Sequence, residues 1–189
     1  MRKICGIDEA GRGCVAGSLF VCGVVCESEM LSQISNLNDS KKLTRKKRDE
    51  IYKIAIKQNI SHFVVKITTN EIDSKGISMC MKEALSQIKQ NLPAESYLFD
   101  GNANFGISGI ECVIKGDSKI PQISLASIIA KSLKDKESDE LHSLYPQYRI
   151  DKHKGYGTKE HIKLIKENGF SPIHRKSFRI KELESALLF

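Results

Sequence analysis

Residues 3–25 carry the sequence KICGIDEAGRGCVAGSLFVCGVV, which is the strongest indication of the fold in this chain. Its first six residues are mostly apolar and end in an acid, which predicts a buried strand. Gly11, Arg12 and Gly13 then form a turn, and residues 18–25 are rich in Val, Phe and Leu, which favour strands. The segment therefore predicts an antiparallel hairpin joined by a glycine-rich loop.

Downstream of the hairpin, predicted strands alternate with predicted helices. Short apolar runs between turn residues predict strands over residues 62–68, 97–101 and 110–114. Apolar residues at helical spacing predict helices over residues 44–59, from Ser74 or Ser78 to Asn91, over 124–144 and over 158–168. Thr44 and Thr158 are expected to cap two of them. This order indicates an α/β fold with one mixed central sheet flanked by helices.

The length and composition of the chain are those of one folded domain, which we expect over residues 1–189. The chain is 40% hydrophobic and 28% charged, and it has no linker-like run. We find no leader sequence and no apolar stretch near ~18 residues, which predicts a cytoplasmic protein. The six cysteines lack C-x-x-C spacing and are expected to be reduced, buried side chains.

Basic residues outnumber acidic ones by 30 to 23 and are concentrated in two blocks. Either block could bind nucleic-acid phosphates, because phosphate contacts dominate nucleic-acid affinity. An equally simple interpretation is that both are solvated faces that keep the chain in solution. The blocks comprise Lys41, Lys42, Arg45, Lys46, Lys47 and Arg48, and His174, Arg175, Lys176, Arg179 and Lys181.

Four acidic residues follow apolar segments, where a lone carboxylate would be costly to bury. Asp8 and Glu9 close the first strand, Asp100 closes a later strand, and Asp135 follows the apolar part of the long helix. Oxygen ligands without a His or Cys pattern suit a hard cation, Mg²⁺ or Mn²⁺. If folding brings the four together, two ions about 3.5 to 4 Å apart could cleave a phosphodiester. Taken singly, Asp100 could belong to a turn and Asp135 could be a solvated helix residue.

The loop Gly11-Arg12-Gly13 follows the acid pair directly. Glycine lacks a Cβ, so its backbone can approach a ribose or a phosphate closely. A protein distinguishes RNA from DNA at one nucleotide through the 2′-hydroxyl, and backbone amides beside a metal site suit that contact. Without the neighbouring acids, an ordinary tight turn with a surface arginine would explain the loop as well.

Six motifs, spread over nearly the whole chain, resemble the ribonuclease HII family, a bacterial type 2 ribonuclease H. They occur in the family's order, which chance does not plausibly produce. The motifs are Ile7-Asp8-Glu9-Ala10-Gly11-Arg12-Gly13, Asp39-Ser40-Lys41-Lys42-Leu43, Asp100-Gly101-Asn102, Lys115-Gly116-Asp117-Ser118-Lys119 with Ala126-Ser127-Ile128-Ile129-Ala130-Lys131, His153-Lys154-Gly155-Tyr156-Gly157-Thr158, and His174-Arg175-Lys176-Ser177-Phe178.

The resemblance implies an RNase H-like fold whose C-terminal part, about residues 140–189, is a helical substrate-binding extension. It implies two-metal cleavage of the RNA strand of RNA/DNA hybrids, and of duplex DNA on the 5′ side of embedded ribonucleotides, leaving 3′-hydroxyl and 5′-phosphate ends. The implied ligands of Mn²⁺ or Mg²⁺ are Asp8, Glu9, Asp100 and Asp135. The implied substrate contacts are Gly11, Arg12 and Gly13 on the ribose, Ser40, Lys41 and Lys42 on a phosphate backbone, and Tyr156 stacked near the RNA-to-DNA junction.

The chain departs from the family pattern at four positions. Ser132 and Lys134 stand near the fourth acid, where the family usually has valine and arginine. Cys14 and Ser18 stand where prolines are common around the glycine loop. Neither pair of changes removes an implied metal ligand.

The remaining motif residues allow more than one role. Tyr156 could also be a surface plug in its glycine-rich turn. The five histidines show no ligand spacing, so His153 and His174 are expected to face phosphate or to support the structure. The closing Leu187-Leu188-Phe189 could dock weakly on a replication clamp, although a terminal helix packed on the core is the simpler expectation. Nothing resembles an obligate dimer seam, so a monomer is expected.

Two other functions would use parts of the same pattern. A non-catalytic protein that binds hybrids or structured RNA would need only the basic blocks and the glycine loop. A junction resolvase or a metal-dependent phosphatase would use the acids but would not need a 2′-hydroxyl sensor. Incubation with a DNA duplex that holds one ribonucleotide, with and without metal, distinguishes the three.

Overall fold

The structure, a computed structural model, describes residues 3–27, 30, 31, 34, 37 and 43–184. Two strands come first, three more strands are interspersed with helices, and only helices follow the last strand. The strands are β1 Ile4–Ala10, β2 Leu19–Val25, β3 Ser61–Ile67, β4 Ser96–Asp100 and β5 Ile110–Val113. The helices with assigned bounds are α1 Arg45–Lys57, α2 Thr69–Lys75, α3 Ile77–Asn91, α4 Pro121–Leu144, α5 Ile150–His153, α6 Lys159–Asn168 and α7 Lys181–Glu184.

The strands form one mixed sheet in the order β3-β2-β1-β4-β5. β1 pairs antiparallel with β2, with Asp8 opposite Cys22, and β2 pairs antiparallel with β3. On its other side, β1 runs parallel to β4, which runs parallel to β5. The predicted hairpin and the predicted mixed sheet are confirmed.

Different helices cover the two faces of the sheet, because strand side chains alternate between faces. Cys5 and Ile7 of β1 pack in a core cluster with side chains of α3. Gly6 faces α4 instead, and a Cβ at this position would overlap the backbone of Ile123. The close approach of α4 therefore requires glycine here, and Asp8, two residues further on, faces the same helix.

Two helices begin at the capping residues that the sequence predicts. The Thr44 side chain accepts a hydrogen bond from the Lys47 N–H at the start of α1. The Thr158 side chain accepts one from the His161 N–H at the start of α6. These bonds satisfy amides that have no partner within the first helical turn.

For the helix predicted to begin at Ser74 or Ser78, the second start is correct to within one residue, because α3 begins at Ile77. The separate helix α2, Thr69–Lys75, was not predicted. Thr68 and Glu71 form a capping box that begins α2. Gly76, with a φ of 79°, ends α2 and precedes the first residue of α3. The positive φ breaks the helical backbone between the two segments.

After α4 the chain forms a further apolar cluster, distinct from the two that pack on the sheet. This cluster includes Val15 of the β1–β2 loop, which packs with side chains from α5, α6 and the segment that follows. Backbone bonds fix the contact: the Val15 N–H donates to the Gly155 carbonyl, and the Gly17 N–H donates to the Ile173 carbonyl, both at 2.8 Å. The C-terminal part of the chain therefore covers the β1–β2 loop.

The hydropathy of the helices and the state of the cysteines complete the description of the fold. No helix in the described part of the chain is long and apolar enough to cross a membrane. The six cysteines are free, and all except the half-buried Cys112 are buried. Burial raises the pKa of the Cys5 thiol to about 12, so it behaves as a small apolar side chain.

Candidate active site

Asp8 and Asp100 lie side by side on neighbouring parallel strands. Ile7 is level with Phe99 in the pairing of β1 with β4, so the next residues on the two strands are Asp8 and Asp100. Ile7 and Phe99 pack on the α3 side, which puts both carboxylates on the α4 side. An oxygen of Asp100 accepts a hydrogen bond from the Gly116 N–H at 3.0 Å, which anchors this side chain.

In this group of acids, burial and mutual repulsion outweigh the effect of the nearby positive charges. Burial raises the pKa of Asp8 to about 6, while a hydrogen bond with Ser127 and the charge of Lys131 lower it. Burial also raises the pKa of Glu9 to about 7, and the charges of Asp8 and Asp100 add to that rise. The carboxylates thus repel each other in a place where water screens them poorly, and a bound cation would relieve the repulsion.

One carboxylate oxygen of Glu9 has no hydrogen-bond partner among the described residues. Its Oε1 lies 3.2 Å from Nη1 of Arg12, whereas its buried Oε2 accepts no hydrogen bond from the described part of the chain. An unpaired buried carboxylate oxygen is costly and calls for a ligand. An all-oxygen donor set with one unpartnered oxygen fits a hard cation such as Mg²⁺ or Mn²⁺.

Asp135 lies on α4 beside the same loop and is held by a basic residue. Its Oδ2 is 2.6 Å from Nη2 of Arg48 on α1, and both side chains are mostly buried. With Gly11 and Tyr156 it lines a cavity of about 250 Å³. Burial excludes the interpretation of Asp135 as a solvated helix residue.

The structure does not bring the four predicted ligands together as one metal site. Among the described residues, no three His, Cys, Asp or Glu side chains stand in a group that could hold a metal ion. Asp8, Glu9 and Asp100 act on one another electrostatically, whereas the partner of Asp135 is Arg48. A single site made by all four stays a prediction.

Glycine and Lys134 shape the loop between β1 and β2. Gly11 has a φ of 91°, and a Cβ there would lie 2.9 Å from the Ser18 carbonyl oxygen. Gly13 is exposed, and a Cβ there would meet nothing within 4 Å, so the outer side of the loop is open. Lys134 Nζ donates to the Ser18 carbonyl at 3.0 Å and pairs with Glu137 at 3.1 Å.

The two departures from the family pattern near the fourth acid have different surroundings. Lys134 binds the loop and Glu137, as described above. Ser132 lines an apolar groove between α1 and α4, and its buried Oγ has no hydrogen-bond partner within the described part of the chain. Neither residue supplies the partner of Asp135, which is Arg48.

Tyr156 lies beside the loop with 49% of its surface exposed. It forms an isolated β-bridge with Cys14, and its N–H donates to the His153 carbonyl at 2.9 Å. Partial burial raises the pKa of the Tyr156 phenol, and the Cys14 thiol adds to the rise. Because the ring also lines the cavity next to Asp135, it can offer a face to a nucleotide base.

Three histidines form a buried chain behind Tyr156. His161 Nδ1 lies 2.9 Å from the Tyr156 carbonyl, which only accepts, so Nδ1 carries the hydrogen. His161 Nε2 then accepts from His174 Nε2–H at 3.2 Å, and His174 Nδ1 accepts from the Ser171 N–H at 3.0 Å. The His153 ring stacks on His161 at 4.0 Å, and its two nitrogens are also hydrogen-bonded to the backbone.

All three histidine rings are therefore neutral, with both nitrogens of each ring in use. Burial lowers the pKa of His161 and of His174 to about 4. No ring nitrogen of the three is left to bind a metal ion. Of the two roles expected for His153 and His174, the structural one is confirmed.

Several side chains of the two basic blocks bind other parts of the protein, although the composition of the blocks predicts exposed side chains. In the C-terminal block Arg175 is fully buried, and its guanidinium bonds to the β1–β2 loop. In the first block Arg45 pairs with Asp139, and Arg48 pairs with the fourth acid. Sequence reasoning missed Arg175 because a run of basic residues gives no signal of which one is buried. The predicted contacts Ser40, Lys41, Lys42, Leu187, Leu188 and Phe189 lie outside the described residues.

Known proteins match the chain along almost its whole length. A family profile described as Ribonuclease HII matches residues 5–181. The Ribonuclease HII of Sulfurovum sp. (strain NBC37-1) is 43% identical over 188 residues, which is 100% of this chain and 97% of that protein. The Ribonuclease HII of Aliarcobacter butzleri (strain RM4018) is 48% identical over 185 residues, which is 97% of this chain and 94% of that protein.

A solved structure matches the fold. It is that of the PCNA:RNase HII complex from Archaeoglobus fulgidus, and it superposes with a TM-score of 0.80 at 26% identity. The match covers 95% of this chain and 96% of that chain. The predicted RNase H-like α/β fold, with a mixed sheet flanked by helices, is confirmed.

Proposed function

Because the chain belongs to the ribonuclease HII family, whose members are metal-dependent phosphodiester hydrolases of the ribonuclease H type, we propose that it cuts the RNA strand of RNA/DNA hybrids. We also propose that it nicks duplex DNA on the 5′ side of single embedded ribonucleotides, leaving 3′-hydroxyl and 5′-phosphate ends. The observation that carries the proposal is the group of buried, mutually repelling acids beside an open glycine loop.

In this proposal Asp8, Glu9, Asp100 and Asp135 hold the metal ions. Mg²⁺ or Mn²⁺ held by these carboxylates would supply activation of a water and neutralisation of the leaving oxygen of the phosphodiester. The Ser127 hydrogen bond and the Lys131 charge favour the ionised form of Asp8, and the Gly116 N–H fixes Asp100. The Glu9 Oε2, which none of the described residues binds, gives the site an available ligand.

Recognition of the substrate falls to the loop and its surroundings. We assign the ribose to the backbone of Gly11, Arg12 and Gly13, because the open side of the loop admits close approach. We assign a base near the RNA-to-DNA junction to the half-exposed ring of Tyr156, which lines the same cavity as Gly11. The phosphate backbone is assigned to Ser40, Lys41 and Lys42.

The organisation of the chain follows from the same proposal. Residues 1–189 form one catalytic domain, and the part from about residue 140 onward is the helical extension that binds substrate. The protein acts as a cytoplasmic monomer. The archaeal relative was solved in a PCNA complex, which supports weak docking of Leu187-Leu188-Phe189 on a replication clamp.

The test is incubation of the protein with a DNA duplex that holds one ribonucleotide and with a matched all-DNA duplex, each with and without Mg²⁺ or Mn²⁺. We expect one metal-dependent nick on the 5′ side of the ribonucleotide and no cleavage of all-DNA. Equal cleavage of both duplexes would favour a resolvase or another nuclease on this scaffold. Tight binding without cleavage at any metal concentration would favour a non-catalytic hybrid-binding protein.

A further inference from the structure

The most deeply buried cation of the described residues is Arg175, and its side chain is fully inaccessible to solvent. Nε donates to the Gly17 carbonyl at 3.0 Å, and Nη1 donates to the Arg12 carbonyl at 2.9 Å. Nη2 donates at 2.8 Å to both the Gly11 and the Gly17 carbonyls. Every one of these acceptors belongs to the β1–β2 loop, so one guanidinium ties together three of its peptide groups.

Carbonyl oxygens, rather than a carboxylate, offset the charge of this guanidinium. Among the described residues no acid forms an ion pair with Arg175. Burial lowers its pKa, but a guanidinium remains protonated in proteins. A buried charge that is satisfied by carbonyl dipoles must keep those dipoles pointed at itself, so the loop carbonyls cannot turn outward without leaving the charge unpaired.

The peptide plane carries this constraint to the other side of the loop. In a trans peptide, the C=O of one residue and the N–H of the next point in opposite directions. The Gly11 and Arg12 carbonyls point at Arg175, so the N–H groups of Arg12 and Gly13 point away from it. Gly13 is exposed and a Cβ on it would meet nothing within 4 Å, so a substrate has room to approach the loop at this residue.

We propose that Arg175 is the positioning residue of the ribose-sensing loop, and that it aims the N–H groups of Arg12 and Gly13 at the 2′-hydroxyl without touching the substrate. The inference rests on the proposed function, since it deepens the role assigned there to the loop. A hydroxyl oxygen accepts from such amides, whereas a deoxyribose offers them nothing. Arg175 thus acts on the choice between RNA and DNA rather than on phosphate affinity.

The position of Arg175 is itself fixed from several directions. Its own N–H donates to the Val15 carbonyl at 2.8 Å, and the Gly17 N–H donates to the nearby Ile173 carbonyl. Its guanidinium carbon lies over the Phe178 ring, 5.1 Å from the ring centre, within the range of a cation–π interaction. A side chain held in this way is a rigid template for the loop, which a lysine with its single ammonium could not replace.

The experiment measures the affinity of Arg175→Met for two duplexes that differ only in one 2′-hydroxyl, with Ca²⁺ present so that oxygen ligands are occupied. We expect the preference for the ribonucleotide duplex to fall at least about tenfold, the loss of one or two good hydrogen bonds. Affinity for the all-DNA duplex should stay within about twofold. With Mg²⁺ or Mn²⁺, kcat for the ribonucleotide duplex should fall together with the preference.

The matched control is Arg179→Met, which removes the same charge from an exposed position four residues further on. We expect it to weaken binding to both duplexes equally and to leave the preference unchanged. A loss of preference in Arg179→Met equal to that in Arg175→Met would overturn the positioning role, because bulk charge would then explain both. An unchanged preference in folded Arg175→Met would overturn it directly.

Two further measurements keep the inference testable if Arg175→Met does not fold. Arg175→Lys keeps the charge but cannot reach three carbonyls, so it should lose part of the preference; a folded Arg175→Lys with the full preference would overturn the inference. In wild-type protein labelled with ¹⁵N, the Arg12 and Gly13 amide resonances should shift with the ribonucleotide duplex more than with all-DNA, and equal shifts would contradict it. Failure of the proposed function is distinguishable, because wild-type protein would then make no nick at the ribonucleotide.

Discussion

The acid group on β1 and β4 and the histidine chain behind Tyr156 both bury titratable side chains, and they differ in how those side chains are satisfied. In the acid group, burial and the neighbouring carboxylates raise the pKa of Glu9, and one Glu9 oxygen has no hydrogen-bond partner among the described residues. In the histidine chain, backbone groups and neighbouring rings use every nitrogen. Buried groups that lack a partner indicate where a ligand belongs, whereas buried groups that have all their partners indicate the scaffold that supports it.

We expect the largest effect on kcat from neutralising a carboxylate of the acid group on β1 and β4. Asp8→Asn should lower kcat by at least about 10³-fold, because a metal ligand loses its charge. Binding of hybrid at low salt should remain, and Asp100→Asn should behave in the same way. The measurement is single-turnover cleavage of the ribonucleotide duplex.

Asp49→Asn is the matched control, since it makes the same change on α1 in a half-exposed pair with Arg45. Its activity should stay within about twofold of wild type. Activity of Asp8→Asn within a few-fold of wild type would remove Asp8 from the mechanism. The contrast between the two regions would then lose its functional meaning.

The histidine chain should make the free energy of unfolding depend on pH. His161 and His174 have folded-state pKa values of about 4, below the ordinary 6.5, so the unfolded chain binds protons first as the pH falls. Their stabilising contribution is complete above about pH 6.5 and is lost toward pH 4, by about 2 to 3 kcal/mol for each histidine at most. Urea unfolding at several pH values measures this loss.

His161→Gln should flatten that pH dependence by removing one titrating ring. The matched control is His62→Gln on β3, outside the chain of three rings, which should keep the wild-type slope. A His161→Gln variant with an unchanged slope between about pH 6.5 and 4 would show that the ring is not held neutral. The two regions would then be less different than their hydrogen bonds indicate.

Metal should stabilise the folded protein through the acid group alone. At about 100 times its dissociation constant, Mn²⁺ should add about 2.7 kcal/mol to the free energy of unfolding and raise Tm by about 5 to 10 °C. EDTA should reverse the rise, and Asp8→Asn should show little of it. An equal rise in Asp8→Asn, measured by calorimetry, would place the ion elsewhere.

The smallest effect is expected at Tyr156, where the two regions meet. Tyr156→Ala should lower kcat/KM about tenfold through loss of base stacking, and Tyr156→Phe should stay within about threefold because it keeps the ring. The measurement is steady-state cleavage of the ribonucleotide duplex. A Phe variant as poor as the Ala variant would show that the phenol hydroxyl, rather than the ring, matters.

Local sequence signals predicted the parts of the fold that depend on neighbours along the chain. The hairpin of residues 3–25 and the caps Thr44 and Thr158 follow from composition and spacing alone. The capping box of Thr68 and Glu71 was equally visible as a Thr-x-x-Glu pattern, and the start of α2 was missed only because later serines were preferred. The position of Asp100 at the end of β4 also follows from local pattern, whereas β1 continues past Asp8 and Glu9 to Ala10.

Partners that come from distant parts of the chain could not be predicted in this way. Asp135 is paired with Arg48, 87 residues away, and the sequence pattern singled out both residues without indicating that they meet. Arg175 stood in a run of basic residues that is typical of an exposed surface. Its burial depends on the packing of the C-terminal segment on the β1–β2 loop, which no local pattern records.

The bonds from Arg175 to the β1–β2 loop join residues that are 158 to 164 positions apart. A ribosome therefore releases the loop long before it releases the side chain that completes it. The sheet strands that flank the loop can pair early, but contacts of such long sequence separation form late. A nascent or truncated chain that ends before residue 175 would carry its acids and lack the side chain that ties the loop together, so a segment made long after the acids completes the loop.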